Sequence, residues 1–508
     1  MHKGISTIAV IAMLAQGPVA AKAPLRASDD QRRTGLCRTP LPLAQLGPER
    51  WQQQRPVAAS RGAIKEARAE ITAETTTETT TETMAAPMAP PPPPPPVMAR
   101  ASSDMTETGA RIASPPSAMP VPAAVDSARP IMPPSDRPDI QFQGGLTAGE
   151  HDDLLNPELY ADYVRRSDLG QQIAGLPQLD TRRVLTVSVN DRRGQPVGRS
   201  MVEVQCADGN RIMLQTQSDG TVVLFPELDR LGRSIRVRAA GQDWRSVEIA
   251  PGAGGQRVTF TAAANAAQQA PKLDLMLVID TTGSMGDEIQ YLQRELAGLV
   301  GALRARHPGL DLRVGFVFYR DVHDAYVTHT VPFTRDVSAA QGELVQQGAG
   351  GGGDYPEAME QALVRAAGQA WRADAVKTML LVADAPPHDA DVAVAWHAGE
   401  VLRAKRVQVV PVAASGVGDS AEYLMRGLAA LTQSRYTFLT DDSGIGNPHA
   451  PPAIDCYLVT RLDALLRRVI DSQLAGRRIE PERQEVIRRV GQYDQGRCVI
   501  PGGRLPQQ

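Results

Sequence analysis

The sequence predicts an α/β fold: a doubly wound, mostly parallel sheet in the C-terminal part, preceded by a small β-sandwich and a long, disordered, Pro-rich N-terminal region. Three observations carry this reading. Over residues 272–475, apolar runs alternate with stretches of helical spacing, as in parallel strands joined by crossover helices. Between residues 183 and 262 the apolar period drops to two and turn residues punctuate it regularly. More than half of the 40 prolines fall before residue 141. The 508 residues carry 54 basic and 57 acidic side chains, a net charge of −3. That balance argues against a nucleic-acid binder or a polybasic membrane clamp.

The chain opens on an expected export signal, residues 1–21. Lys3 supplies its positive end, Ile5 to Ala15 an apolar stretch too short to span a bilayer, and Val19-Ala20-Ala21 small residues for cleavage. No later segment is apolar enough for a transmembrane span. The protein is therefore expected to be exported: periplasmic, at the cell surface or secreted. Residues 22–145 read as a disordered stalk. They hold a Thr/Glu run, Glu74 to Met84, and seven consecutive prolines, Pro90 to Pro96. Proline rings fix φ and favour an extended polyproline rod. The rest offers too little apolar surface to offset the entropy of ordering.

Residues 146–182 show short helical patterns, with Asn156-Pro157-Glu158 reading as an N-cap followed by proline in the first turn. The acids Glu150, Asp152 and Asp153 are expected at a solvated helix start. Strands at 184–190, 200–207, 221–225, 234–240 and 258–262 make up a sandwich spanning 183–262. Ala/Gln-rich residues 263–271 read as a linker. The α/β domain, 272–475, places strands at 273–280, 312–319, 378–385, 407–414 and 435–440. Its helices cover Ile289 to Leu303, 356–371, and the neighbourhoods of 391–405, 420–432 and 457–475. A tail, 476–508, follows.

Four cysteines permit three full pairings. In an oxidising compartment disulfides persist, and Cys456–Cys498 is the expected one, stapling the tail to the last domain. Cys206 reads as a small buried side chain and Cys37 as a free thiol on the stalk.

Ligands of doubly wound sheets bind beyond the carboxyl ends of the strands. The first α/β strand ends in Asp280-Thr281-Thr282-Gly283-Ser284. Asp280, Thr282 and Ser284 thus bring one carboxylate and two hydroxyls to one point. Oxygen donors of this kind suit a hard cation, Mg²⁺ or else Ca²⁺ or Mn²⁺. A second strand ends in Asp384, and the loop Gly350 to Gly353 sets Asp354 just before a helix, its glycines allowing close backbone approach. A dinucleotide loop is disfavoured, because G-x-G-x-x-G is absent and Asp280 would repel the phosphate. An aspartyl phosphotransferase would want an acid where Thr282 stands. A plain helix N-cap explains one hydroxyl and not the acids at two other strand ends.

Two stretches resemble known families. V-x-V-x-D-x-x-G-x-P-V (Val187 to Val197) and Ser218-Asp219-Gly220 resemble the transthyretin-like, carboxypeptidase-regulatory sandwich, which implies a spacer or adhesive module. VIDTTGSMGDEI (278–289), FVFYRD (316–321), GGGDYPEA (351–358) and VADAPPH (382–388) resemble the von Willebrand factor A domain with its metal-ion-dependent adhesion site, over 272–475. That resemblance makes Asp384 the strand-four carboxylate. For the remaining ligand Asp354 is preferred to Thr328, Thr330 or Thr334. It further implies a protein partner that supplies an acidic residue to the metal, in a non-enzymatic adhesion or envelope-assembly role. The alternative is a Mg-dependent hydrolase or phosphotransferase using the same acids. Arg320, Asp321, His323 and Asp324 form either a partner-contacting rim or a structural Arg–Asp pair, and His388 reads as a structural loop histidine.

Overall fold

The computed structural model describes residues 37, 41–49, 145–176, 178–252, 254–263, 271–444 and 448–499. The expected export signal, the Glu74–Met84 run, Pro90 to Pro96 and most of the 263–271 linker lie outside the described residues.

The molecule is organised around β9 (Lys272–Asp280), whose side chains alternate between two cores. Leu273, Leu275, Leu277 and Ile279 feed one, while Met276 and Val278 feed the other. A strand that is apolar on both faces must be covered on both, and helices do this. On one face lie α3 (Gly286–Arg306), α4 (Val337–Val345) and α8 (Leu462–Ala475); on the other lie α5 (Met359–Gly368), α6 (Val392–Ala404) and α7 (Asp419–Leu431). The parallel centre consists of β10 (Asp311–Tyr319), β9, β12 (Val376–Ala383), β13 (Val407–Ala413) and β14 (Tyr436–Thr440). On one side β11 (Thr328–Thr334) adds antiparallel to β10 and forms the sheet edge.

The other side departs from expectation in three ways. Residues 147–151, expected within a helical segment, form β1 (Thr147–His151), which inserts antiparallel between β14 and β15 (Tyr457–Arg461). Residues 457–461, expected as helix, are therefore strand, and α8 begins only at Leu462. The expected tail supplies β16 (Arg488–Val490), which pairs with β15, and the hairpin β17 (Tyr493–Asp494) and β18 (Arg497–Cys498). One physical fact unites these corrections. Tyr457 to Thr460 and all of β1 are buried and almost without period, so single-sequence periodicity cannot separate strand from helix there.

The acids of β1 are likewise not solvated. Glu150 is fully buried, and its carboxylate accepts from Arg435 and Arg468, each at 2.7 Å. Burial alone would raise its pKa, but Arg435, Arg468 and Arg478 together hold the carboxyl well below the ordinary range. Asp153 pairs with buried Arg426 at 2.6 Å. Helix α1 (Pro157–Ser167) does start at Pro157, yet Asn156 makes no side-chain cap. Its amide instead donates to the Gly496 carbonyl (2.7 Å) and its Oδ1 accepts from the Cys498 N–H (2.7 Å), pinning the C-terminal hairpin.

Between β1 and β9 the chain makes two sheets. One is β5 (Thr221–Leu224), β2 (Leu185–Asn190) and β8 (Gln256–Thr261); the other is β4 (Arg211–Gln215), β3 (Met201–Gln205), β6 (Ser234–Ala239) and β7 (Arg245–Glu248). They share an apolar core that includes Val187, Val204, Leu224 and Phe260. The β-module is thus inserted within the α/β sheet's own sequence rather than strung before it. It is joined to the α/β body by Arg403, which donates to both oxygens of Asp229 (2.8 and 2.9 Å) and to the Val223 carbonyl. Val223 and Phe225 enter the helical core itself.

Cys456 and Cys498 form the expected disulfide. Cys37, expected as a free thiol, is bonded to Cys206.

Candidate metal site at the carboxyl ends of the strands

Asp280 closes β9 and is fully buried. The turn after it is fixed by its own carboxylate: Oδ1 accepts from the Thr282 N–H (2.9 Å) and the Thr282 hydroxyl (2.7 Å). Oδ2 is equally buried and makes no hydrogen bond of good geometry, the Tyr319 hydroxyl beneath the site being the further polar group that acts on this carboxylate. An orphaned buried carboxylate oxygen costs free energy unless something fills its place. Asp384 follows β12 and is also buried; Ser284, exposed two residues after Thr282, hydrogen-bonds its carboxyl. Burial, then the facing Asp384, push the Asp280 carboxyl up to about 7. Burial raises Asp384 to about 6, with the Ser284 hydroxyl opposing. Asp280, Thr282, Ser284 and Asp384 therefore lie together at the carboxyl ends of β9 and β12.

Asp354 is not brought into that group. It is exposed in the glycine loop. Among the described residues, no three His, Cys, Asp or Glu side chains converge tightly enough to hold a metal by themselves. A cation here would depend on the two hydroxyls as well as the two acids. The acid that faces the pair from this loop is Glu357, which is buried with Oε2 unpartnered. Burial, then Asp280, Asp321, Asp324 and Asp384, push it up to about 9. Glu357 lies three residues beyond Asp354, on the buried side of the same loop.

The loops around the acids are tied to one another. Gly283 donates its N–H to the Gly351 carbonyl (3.2 Å), Gly350 to Thr281 (3.1 Å), and Glu357 to Pro386 (2.9 Å). Gly352, at φ +71°, needs its missing side chain: a Cβ there would lie 2.8 Å from Glu357 Oε1. Asp324 accepts from Gly352 N–H (2.8 Å) and Asp321 N–H (3.1 Å), so it buttresses this loop. Arg320 pairs with neither acid. It donates to the Gly348 carbonyl (2.8 Å) and stacks on Tyr326 (4.8 Å). His388 sits 3.5 Å from Asp321. Tyr319 is buried under the site, where burial and then Asp280 and Asp384 hold its hydroxyl well above its ordinary range. The threonines weighed as ligands lie on edge strand β11 and are engaged elsewhere: Thr328 with Arg365 (3.3 Å) and Thr330 with Glu49 (2.6 Å).

Two buried acids, one with an orphaned oxygen, plus two hydroxyls form a donor set that fits a hard divalent cation. Comparison with known proteins bears on the domain that carries these residues. A family model described as "von Willebrand factor A domain" matches residues 274–446. A Dictyostelium discoideum protein named "Alpha-protein kinase vwkA" is 32% identical over 124 residues, 23% of this chain and 19% of that protein. The chain thus spans about a fifth of that relative's length. A solved structure of a conserved hypothetical protein, BatB from Bacteroides thetaiotaomicron, aligns with 13% identity and a TM-score of 0.25, covering 40% of this chain and 98% of that one. So low a score supports no argument of its own. Residues 274–446 of this chain are a von Willebrand factor A domain.

Proposed function

We propose that the chain is an exported, non-enzymatic protein that binds a protein partner through a divalent cation, Mg²⁺ by donor chemistry, in an adhesion or envelope-assembly role. Asp280, Thr282, Ser284 and Asp384 hold the ion, and Asp354 stands at the exposed rim where a partner would approach. The observation that carries this reading is the Asp280 carboxylate, with one oxygen committed to its own turn and the other buried and unpartnered opposite Asp384. A bound cation supplies an electrophilic centre that an incoming carboxylate can complete. The protein's own residues do the rest: Thr282 fixes the Asp280 rotamer, Ser284 orients Asp384, and the glycine loop packs against Thr282 and Gly283. Two disulfides support an oxidising compartment.

Calorimetry with Mg²⁺ and Mn²⁺ tests the site. Asp280→Ala should abolish binding while circular dichroism stays native. Undiminished binding in that variant would overturn the assignment. Partner capture should likewise be lost in EDTA and restored by added Mg²⁺.

A further inference from the structure

A second polar site lies at the sheet edge, outside the metal centre. Edge strand β11 leaves the Thr330 N–H unused by its partner β10, and Glu49, far away in sequence, takes it. Glu49 Oε2 accepts from the Thr330 N–H at 3.0 Å, and Oε1 accepts from the Thr330 hydroxyl at 2.6 Å. Arg365, from α5, approaches Oε1 at 3.3 Å and also donates to the Gly47 carbonyl. One carboxylate therefore meets a backbone donor, a hydroxyl and a guanidinium, a charge-assisted arrangement of the kind that binds carboxylates strongly. Beside it a cavity of about 360 Å³ is lined by Pro48, Asp324, Tyr326, Gln361 and Arg365. Leu43 and Leu46, upstream of Glu49, pack against the helical core. Still further upstream, Cys37 is covalently fixed to Cys206 in the β-module.

We propose that the groove between β11 and α5 is a carboxylate-recognition site whose resident ligand is the chain's own Glu49, and that the Cys37–Cys206 disulfide holds residues 41–49 there as a releasable strap. The strap spans the β-module and the α/β body and covers an open sheet edge, which would otherwise be a template for unwanted strand pairing. The disulfide makes docking local. With it, the carboxylate is twelve residues from a fixed point on the β-module. A short tether raises the effective concentration of the carboxylate at the groove, so opening the disulfide should weaken docking. Reduction is balanced simply: a dithiol reductant closes its own disulfide while Cys37 and Cys206 each gain a hydrogen. Once the strap leaves, Thr330 and Arg365 are open to an acidic peptide in trans.

The test is amide hydrogen exchange at Thr330 in the full chain, in EDTA, so that it does not depend on the metal reading. Oxidised wild type should protect this amide. Cys37→Ser, which leaves Cys456–Cys498 intact, should exchange measurably faster than wild type, and Glu49→Ala faster still. A synthetic peptide of residues 41–49 at millimolar concentration should restore protection to the Glu49→Ala protein, while the same peptide carrying Glu49→Gln should not. Equal exchange in wild type and Glu49→Ala overturns the site. Loss of protection in Glu49→Ala but not in Cys37→Ser overturns the tether. Equal rescue by both peptides overturns carboxylate recognition.

Discussion

At the scale of single residues, the charges inside this protein fall into two kinds. Glu150 and Asp153 are buried but paired with arginines, whereas Asp280, Asp384 and Glu357 are buried acids that face one another. The first kind is charge-compensated and costly to break, while the second costs stability that a cation would return. Asp280→Asn should therefore raise the melting midpoint in chelator by roughly 2–4 °C, the equivalent of about 1 kcal/mol, and remove the further rise that Mg²⁺ gives wild type. Scanning calorimetry with and without metal reads both effects. A different buried charge allows a pH test. Burial, then Arg406, lower Lys377 to about 7, and its ammonium donates to the Lys405 carbonyl at 2.7 Å. Its folded pKa lies below its unfolded one, so the unfolded chain binds the extra proton first. Stability should fall as pH drops from about 10 to about 7 and level off below. Lys377→Met should flatten that slope and stabilise the protein at neutral pH by about 1–3 kcal/mol. Denaturant midpoints across this pH range check it.

Among the elements, β1 is the one whose placement matters most. It supplies two neighbours, β14 and β15, with a full ladder of hydrogen bonds, and its Gly149 lies under an aromatic ring: a Cβ there would come within 2.3 Å of Phe438. Gly149→Val should push the strand out of register and abolish soluble expression at 37 °C. Glu150→Ala strands Arg435 and Arg468 and should cost about 3–5 kcal/mol. Because the Glu150 pKa is depressed in the fold, that contribution is present above the ordinary glutamate range and is lost as pH falls below it. The difference between wild type and Glu150→Ala should therefore begin to shrink only below about pH 4 and shrink further in stronger acid, which chemical denaturation at pH 7 and at lower pH would measure. A fragment that starts at residue 271 lacks β1 and should aggregate, although the matched family region begins at 274. The parallel strands were legible because β9, β12 and β13 are long apolar runs followed by helical spacing. Strand β1 was not, because five buried residues with Gly149 and Glu150 among them carry no strand period, and its partners lie nearly 300 positions away.

For the whole molecule, the chain is an interleaved body rather than a row of beads. The β-module is threaded between β1 and β9, shares Val223 and Phe225 with the helical core, and is clamped by Arg403 on Asp229. Heat should therefore unfold the module and the α/β domain in one cooperative transition. Arg403→Ala should split it into two or lower the midpoint by several degrees, which differential scanning calorimetry can resolve.

The sequence by itself determined the parallel α/β centre, the β-rich module, the Cys456–Cys498 pair, and the convergence of Asp280, Thr282, Ser284 and Asp384. These depend on local period and on short spacings at strand ends, where a residue's direction follows from its position in the element. Tertiary structure decided the rest. Glu357 is buried and Asp354 exposed in a loop whose Gly351 and Gly352 take positive φ and whose Gly352 packs against Thr282. Cys37 meets Cys206, Glu49 meets Thr330, and β1 completes the sheet through contacts distant in sequence, which leave no periodic trace in the chain. The near-neutral overall charge conceals both the acidic centre and its arginine-paired counterparts, since net charge records how many charges there are and not which of them face each other.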